Sequence, residues 1–237
     1  MNNILKETIR KLQNIHDHGF AGGSRAGDTG VGFALEALLG IEENNSSGAD
    51  IDGQIEIKAK RKSSHSRSGS LTTLFTKAPN WLHKTRDIVK EYGLQDKERP
   101  ERTNFYNSLK YGAVNPQGLS IDIDGDNLFF TGKEGERLGE WALLELMECF
   151  RKKFPELILV LAETRGKGAE EEYWFNEAYH YENLNVDKIV EVIKAGKLTI
   201  DMRIHIKETG KLRDHGVAFR MSSKDTKELF ENVERLM

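Results

Sequence analysis

The most informative segment of this chain reads Ala49-Asp50-Ile51-Asp52-Gly53-Gln54-Ile55-Glu56-Ile57-Lys58. We predict a strand from Asp50 to Lys58. Because successive side chains of a strand point to opposite faces, the last two isoleucines are expected to face a core while Glu56 and Lys58 share the other face. Two carboxylates can hold a hard cation against a phosphate while an ammonium positions the attacking water. The segment therefore indicates a Mg²⁺-dependent phosphodiesterase, although the same pattern also arises on a charged, solvated strand.

The composition is that of a protein with a hydrophobic core and no membrane segment. The chain has 237 residues, 38% of them hydrophobic, and its mean hydropathy is −0.58. No apolar run approaches the ~20 residues of a membrane helix, and the N-terminus lacks the apolar block of a signal peptide. The single cysteine, Cys149, excludes an internal disulfide framework and favours a reducing compartment. We therefore expect a cytoplasmic protein with no membrane partner.

The charge is segregated along the chain although the net charge is only −3. Basic residues gather at Lys58–Arg67 and again between Arg203 and Arg220, whereas acidic residues gather at Glu134–Glu148 and Glu170–Glu172. Each run alone is equally typical of a solvated face. Together they are compatible with one basic cleft and an acidic back, which is the distribution of a nucleic-acid-binding protein.

The hydrophobic periodicity predicts a mixed α/β protein. Helices are predicted at residues 3–16, 33–39, 84–92, 140–154, 186–194 and 223–236. Strands are predicted at residues 50–58, 71–75, 119–123, 128–130, 157–162, 173–181, 198–206 and 217–221. The rest of residues 80–118 is predicted to be irregular. The glycine-rich segment 19–32 is interpreted as a loop but not as a P-loop, because no Gly-Lys-Ser/Thr follows it.

One acidic turn requires a choice between a calcium loop and a hairpin. Asp122, Asp124 and Asp126 alternate as in half of an EF-hand loop. However, Gly125 stands at the wrong place for the glycine of that loop, and Lys133 takes the position of its closing glutamate. We therefore predict a hairpin that turns between residues 124 and 127.

Four segments occur in a characteristic order along the chain. They are Thr29-Gly-Val-Gly-Phe-Ala-Leu-Glu36, Ala49-Asp50 with Glu56-Ile-Lys58, Leu71-Thr-Thr-Leu-Phe-Thr-Lys77, and Asp214-His-Gly-Val-Ala-Phe-Arg220. In this order the set resembles the MvaI/BcnI family of type II restriction endonucleases, which are relatives of the mismatch-repair nickase MutH. The resemblance extends from about Gly27 to the C-terminus. No single motif is specific, but the ordered set is.

The resemblance implies a fold and a setting. The fold would be a MutH-like PD-(D/E)XK nuclease core, in which a mixed β-sheet is flanked by helices beside a DNA-binding cleft. We expect one nuclease domain over residues 1–237, with a catalytic part at about 1–160 and a DNA-recognition part at about 161–237. The family also implies Mg²⁺ as the cofactor, double-stranded DNA as the partner, a monomer, a prokaryotic cytoplasm and a companion DNA methyltransferase.

The catalytic residues implied by the resemblance lie around the opening segment. Asp50 and Glu56 would hold the metal ion, Lys58 would orient the attacking water, and Glu36 would serve as an outer acid. The spacing between Asp50 and Glu56 is one residue longer than is usual in the family, so Asp52 remains the alternative metal ligand. For Glu36 the alternative is an exposed polar residue on an amphipathic helix.

The DNA-recognition residues are expected in the C-terminal part. Arginine forks match guanine in the major groove, and aspartate accepts a hydrogen bond from cytosine, so a set of arginine, aspartate and histidine favours a G/C-rich site. Some of these arginines are expected to contact only phosphates or to pair with aspartates. Thr76 and Lys77 are expected to contact backbone phosphate near the cut, as is the basic run at residues 60–67. The predicted recognition residues are Asp201, Arg203, Arg213, Asp214, His215 and Arg220.

The leading prediction is a site-specific DNA endonuclease that leaves 5′-phosphate ends and nicks the two strands in succession. A MutH-like repair nickase would use the same catalytic residues but would require an activating partner. A catalytically inactive DNA-binding protein would bind without cutting. A plain α/β domain, in which residues 50–58 are only an edge strand, is the remaining alternative.

Overall fold

The computed structural model describes residues 2–23, 25–42, 48–67 and 70–237. Among these residues, no helix has both the length and the apolar character needed to cross a membrane. The helices are α1 (Asn3–His18), α2 (Gly30–Leu39), α3 (Lys62–Ser66), α4 (Thr85–Tyr92), α5 (Leu143–Lys153) and α6 (Lys188–Lys194). Two short 3₁₀ helices span Gly168–Glu170 and Thr226–Leu229.

Fifteen strands form three sheets among the residues that the structure describes, and eight strands were predicted. They are β1 (Ala21–Gly22), β2 (Ile55–Arg61), β3 (Leu71–Thr76), β4 (Asn80–Trp81), β5 (Leu94–Gln95), β6 (Thr103–Leu109), β7 (Ser120–Asp124), β8 (Asn127–Thr131), β9 (Arg137–Ala142), β10 (Glu156–Arg165), β11 (Glu172–Leu184), β12 (Leu198–Ile206), β13 (Leu212–Asp214), β14 (Ala218–Ser222) and β15 (Phe230–Arg235).

Two compact units interleave along the chain. The first is built from Met1–Ser70, Cys149–Val186 and Thr226–Met237, and the second from Leu71–Glu148 and Asp187–Asp225. The expected assignment of catalysis to about residues 1–160 and of recognition to about residues 161–237 concerns function and remains a prediction.

The first unit contains a mixed five-stranded sheet. Its order is β1-β11-β10-β2, and β15 pairs with β11. The strand β2 runs parallel to β10, whereas the other pairs are antiparallel. Because β10 is paired along both edges and its residues 157–162 are buried, its continuous apolar run is that of a central strand, as predicted.

Helices α1 and α2 cover one face of this sheet. Apolar positions of α1 recur at helical spacing and are buried against α2 and the strands, so the predicted amphipathic helix is confirmed. The alternation predicted for β2 is also confirmed, because its isoleucines belong to this core while Glu56 and Lys58 point to the opposite face. Members of the core include Leu5, Leu12, Ile15, Leu35, Ile55, Ile57 and Ile158.

The second unit contains two further sheets. One has the order β3-β14-β12-β6-β5, with β13 also paired to β12, and the other has the order β4-β9-β8-β7. The strands β7 and β8 form the predicted hairpin, in which Asp124 pairs with Asn127 and Gly125 has a φ of 55°. This left-handed turn geometry supports the hairpin interpretation of the acidic segment over a calcium loop.

Two predicted helices are wrong because their residues pair as strands. Glu140–Ala142 belongs to β9, in which Trp141 pairs with Leu128, and the helix begins only at Leu143. The C-terminal segment predicted as a helix over 223–236 forms a short 3₁₀ helix and β15 instead. The edge of β11 offers unpaired backbone groups to β15, and this pairing prevails over the local helical pattern.

Three further predictions need correction. The segment predicted as irregular contains β6, a strand that is paired to β12 along its whole length. The basic run does not form the expected loop, because its first residues extend β2 and Lys62–Ser66 forms α3. The predicted strand over 50–58 begins only at Ile55, since the preceding residues form a turn.

Candidate functional site

A tight turn places Asp50 beside β2 and not in line with it. Asp52 and Gly53 have φ values of 49° and 67°, a left-handed conformation that reverses the chain. The backbone N–H of Gln54 donates to the carbonyl oxygen of Ile51 at 2.9 Å. As a result, the backbone N–H of Ile57 donates to Asp50 Oδ2 at 2.9 Å. The carboxylate of Asp50 is thus fixed next to the strand that carries Glu56 and Lys58.

Four charged side chains meet at this point, and we call them the carboxylate–lysine cluster: Asp50, Glu56, Lys58 and Lys153. The ammonium of Lys58 forms an ion pair with Glu56 Oε1. Lys153 Nζ lies 2.9 Å from Glu56 Oε2 and 3.3 Å from Asp50 Oδ1. One lysine therefore bridges the two carboxylates while the other contacts Glu56 alone.

Burial controls the electrostatics of the cluster. The side chain of Glu56 is 0% exposed, and this burial raises the pKa of Glu56 to about 7, with a further increase from Asp50 and opposing effects of the two lysines. Burial by itself lowers the pKa of Lys153, but the carboxylates of Glu56 and Asp50 outweigh it, so the pKa of Lys153 lies above its usual value. The ammonium is therefore charged at neutral pH.

The donor set of the cluster fits a divalent cation. Glu56 Oε2 is buried, and the ammonium of Lys153, at 2.9 Å, is the cation that now lies beside it among the residues that the structure describes. A buried carboxylate oxygen without a hydrogen-bond donor is costly unless a cation compensates it. Together with Asp50 Oδ1 it offers the hard oxygen ligands that Mg²⁺ and Ca²⁺ prefer.

The two remaining predicted acids are placed differently. Asp52 is exposed at the turn, whereas Asp50 is held by both a backbone N–H and Lys153. Glu36 is half-buried on α2, the helix that packs against β2. Its role as an outer acid, like the roles of the other predicted catalytic residues, remains a prediction.

The raised pKa of Glu56 predicts a pH-dependent metal affinity. With Glu56 as a metal ligand, as predicted, a bound cation replaces the proton of this carboxyl group, so the affinity for Ca²⁺ is expected to fall about tenfold per pH unit below pH 7 and to level off above it. A carboxylate with an ordinary pKa would give a flat profile down to about pH 5. Calorimetric titration of the DNA-free protein across this range measures the effect, and a flat profile contradicts it. Glu156→Gln serves as a control at a half-buried acid outside the cluster.

A polar face of the second unit carries most of the predicted recognition residues. Directly opposite residues of neighbouring strands share a face, and here Asp201 and Arg203 of β12 lie opposite Ser108 and Tyr106 of β6. Asp201 and Arg203 therefore share a face, as predicted. With His215 these residues line a cavity of about 450 Å³.

Two of the predicted recognition residues form a fixed pair. Arg220 Nη1 donates to Asp201 Oδ2 at 2.6 Å, and Ser108 Oγ donates to Asp201 Oδ1 at 2.6 Å. Asp201 is only 6% exposed. The expectation that at least one of the arginines pairs with an aspartate is therefore confirmed.

Arg203 holds the turn that follows β13. Its Nε and Nη2 atoms donate to the carbonyl oxygens of Gly216 and His215 at 3.1 and 3.0 Å. Gly216 has a φ of 84°, and its N–H donates to Asp214 Oδ1 at 2.7 Å. Arg203 and Asp214 thus both hold the turn by hydrogen bonds to its backbone. The side chains of Arg213 and Asp214 at the end of β13, and of His215 in the turn, are exposed.

Two histidines stack on this face. The rings of His205 and His215 lie 5.2 Å apart with an interplanar angle of 27°. Desolvation and the neighbouring arginines lower the pKa of both rings. Both are therefore neutral at pH 7, with one donor and one acceptor nitrogen each.

Thr76 and Lys77 lie beside the same turn. The N–H of Lys77 donates to the carbonyl oxygen of Val217 at 2.9 Å, and Thr76 is the nearest side chain to Gly216. Lys77 forms an ion pair with Glu145 at 3.1 Å, and both side chains are exposed enough to exchange partners. Both residues that are predicted to contact phosphate thus lie next to the turn after β13, and their role remains a prediction.

The basic run at residues 60–67, which begins within β2, has partners within the protein. Lys60 donates to Ser70 Oγ at 2.9 Å, and Arg61 donates to Glu171 Oε1 at 2.7 Å. Lys62 forms ion pairs with Glu163 and Glu177. These contacts compete with the phosphate contacts expected for this run.

A second acidic group surrounds His180. His180 Nε2 lies 2.8 Å from Glu156 Oε2, and His180 Nδ1 lies 3.9 Å from Glu182 Oε1. The pairing register puts His180 opposite Ile158 and hence on the face of Ile57, away from Glu56. Because the two carboxylates approach different nitrogens of one ring, the arrangement is that of a hydrogen-bonded buried histidine.

Sequence reasoning missed three residues of these sites. Lys153 is the last of three consecutive basic residues that end α5, so no local signal separates it from a solvated helix end. Tyr106 and Ser108 lie on β6, whose alternation of buried Phe105, Asn107 and Leu109 was readable but is interrupted by the polar Asn107.

The comparisons with known proteins agree with this geometry. The family model of the MvaI/BcnI restriction endonuclease family matches residues 9–230. The structure of the restriction endonuclease MvaI–cognate DNA substrate complex is 26% identical to this chain, covers 100% of both chains and has a TM-score of 0.82. The structure of MvaI in the absence of DNA is 25% identical over 100% of this chain and 99% of that chain, with a TM-score of 0.59. No curated protein matches the chain.

Proposed function

The chain belongs to the MvaI/BcnI restriction endonuclease family and is a type II site-specific deoxyribonuclease, and from this premise we propose how it acts. It hydrolyses phosphodiester bonds in a short, G/C-rich duplex site with Mg²⁺ as the cofactor and leaves 5′-phosphate ends. It works as a monomer that nicks the two strands in succession. The observation that carries the proposal is the convergence of Asp50 and Glu56 on one ammonium, with Lys58 on the same strand.

The residues of the cluster take distinct roles. Asp50 and Glu56 would hold Mg²⁺, which would supply positive charge beside the scissile phosphate and lower the pKa of a bound water. Asp50 is held in place by the N–H of Ile57, so its carboxylate needs little reorganisation to bind. Lys58 moves its ammonium from Glu56 towards the attacking water, which it orients for in-line attack. Glu36 acts from α2 as an outer acid.

We call residues 213–216, the end of β13 and the turn after it, the recognition turn, and its side chains support a G/C-rich site. The exposed Arg213 matches the O6 and N7 acceptors of guanine, and the neutral His215 beside it offers one donor or acceptor nitrogen. Arg203 and the Asp201–Arg220 pair hold the surface that presents them. Double-stranded DNA is therefore the proposed partner, and the cognate DNA substrate of MvaI supports this through the family relation.

We also propose a companion DNA methyltransferase, because a restriction nuclease endangers unmodified host DNA. A monomeric state and a cytoplasmic location in a prokaryote complete the proposal. The MutH-like alternative differs in one property. A repair nickase would need an activating protein, whereas a restriction enzyme cuts duplex DNA alone.

The first experiment incubates the purified protein with unmethylated phage DNA and Mg²⁺, followed by sequencing of the fragment ends. Discrete fragments that disappear in the Lys58→Ala variant are expected, and their ends give the site and the stagger. Specific binding without cleavage in the wild type would instead support the inactive DNA-binding alternative. Nicking that requires an added protein would support the repair nickase.

Substitution of the exposed arginine tests the recognition turn. Arg213→Ala is expected to lose about 1–3 kcal/mol of discrimination at one base pair, because a bidentate guanine contact is removed. Lys77→Ala, the matched control at a proposed phosphate contact, is expected to weaken binding to all sequences and to reduce the salt dependence of binding. Binding to single-base variants of the site in Ca²⁺ distinguishes the two results. Equal losses on every sequence for Arg213→Ala would assign it to phosphate.

A further inference from the structure

Lys153 belongs to the carboxylate–lysine cluster but has no role in the proposed hydrolysis. Its ammonium is surrounded by oxygens of three residues: Gly48 O at 3.0 Å, Asp50 Oδ1 at 3.3 Å and Glu56 Oε2 at 2.9 Å. A lysine ammonium carries three donors and no acceptor. Three oxygens around one cation also resemble the ligand set of a hard metal ion, at the longer distances of an ammonium.

The position of this ammonium is fixed by the fold. Lys153 is the last residue of α5, and the buried Phe154 follows it directly. The next strand, β10, begins at Glu156, which pairs with Ile55 at the start of β2. The side chain of Lys153 is 15% exposed, so it is held within the cluster and does not extend into solvent as lysines at helix ends usually do.

We propose that Lys153 is a resident counter-ion of the two metal-binding carboxylates. In the metal-free protein its ammonium holds Asp50 and Glu56 together, and a divalent cation that binds both carboxylates must displace it. This proposal rests on the assignment of Asp50 and Glu56 as the metal ligands. It makes Lys153 a positioning residue that opposes metal binding.

The charge balance gives the physical reason. When both carboxylates of the cluster are ionised, the two ammonium groups of Lys58 and Lys153 already balance their charge. A divalent cation therefore adds positive charge beside positive charge, which is repulsive at such short range. A DNA phosphate supplies the missing negative charge. Lys153 thus keeps metal affinity low until DNA is bound, and DNA and metal reinforce each other's binding.

Calorimetric titration with Ca²⁺ in the absence of DNA tests the proposal. In mildly alkaline buffer, Lys153→Met is expected to bind Ca²⁺ at least about tenfold more tightly than the wild type, because a competing charge is removed. Lys153→Gln retains hydrogen-bond donors without the charge and is expected to show the same gain in Ca²⁺ affinity. This second variant tests the proposal even if Lys153→Met does not fold. Lys152→Met removes the neighbouring exposed lysine and is expected to leave the affinity unchanged.

Thermal unfolding separates this role from a merely structural one. In EDTA, Lys153→Met is expected to unfold at a lower temperature than the wild type, since only Lys58 then offsets the repulsion between Asp50 and Glu56. Added Ca²⁺ is expected to raise the unfolding temperature of this variant more than that of the wild type. A side chain that only supports packing would lower both temperatures equally.

The outcomes are distinguishable. The control is Asp50→Asn, which is expected to show no Ca²⁺ binding. With that control in place, Ca²⁺ binding that is unchanged, weaker or undetectable in both Lys153 variants would overturn the counter-ion proposal. If Asp50→Asn retains full Ca²⁺ binding, the assignment of the metal ligands fails, and the counter-ion proposal fails with it.

Discussion

Asp50→Asn is expected to reduce Mg²⁺-dependent cleavage by at least about 10³-fold, because it removes a charged oxygen ligand from the reacting centre. The asparagine has the same shape and can still accept the hydrogen bond from Ile57 N, so the turn before β2 should persist. Asp52→Asn is the matched control on the same turn. Since Asp52 is exposed and has a φ of 49°, a conformation that asparagine tolerates, little change in cleavage or stability is expected.

This pair of variants decides between the two candidate aspartates. Cleavage rates on a plasmid with a single site and DNA affinities in Ca²⁺ measure the effect on catalysis and on binding separately. A large loss in Asp52→Asn with normal cleavage in Asp50→Asn would reverse the assignment. Glu56→Gln should behave as Asp50→Asn does, because both carboxylates are proposed to hold the same ion.

Lys58→Met is expected to lower the cleavage rate by about 10²–10⁴-fold, the range for loss of a positioned proton-transfer or water-orienting group. Methionine keeps most of the aliphatic length of lysine and removes the ammonium. Affinity for DNA in Ca²⁺ is expected to change far less than the rate, because Lys58 contacts Glu56 and is only partly exposed. Single-turnover cleavage with saturating enzyme measures the chemical step directly.

A pH series separates two roles of Lys58. Its ammonium lowers the pKa of Glu56, so the variant raises that pKa above 7 and leaves more of Glu56 protonated at neutral pH. If Lys58 acted only through Glu56, alkaline buffer would restore the rate, since Glu56 ionises again as the pH rises. We expect no such recovery, because the lost ammonium also orients the attacking water. Full recovery at high pH would exclude a direct role.

The local pattern of the sequence determined a large part of this protein. The alternation in residues 55–58 predicted the faces of β2, and the uninterrupted apolar run of 157–162 predicted a central strand. The order of the motifs along the chain was sufficient to identify the family. These features are readable because a strand or helix face repeats with a fixed period in neighbouring residues.

Only the tertiary structure decided the remainder. The strand β6 pairs with β12, and β15 pairs with β11. These partners lie far away in the sequence, so the local pattern of β6 and β15 does not reveal them. Asp50 reaches β2 through a left-handed turn at Asp52, which the alternating pattern concealed. Lys153 meets Asp50 across 103 residues of chain. Contacts of this kind depend on how separate elements pack, so the sequence specifies them only through the folded whole.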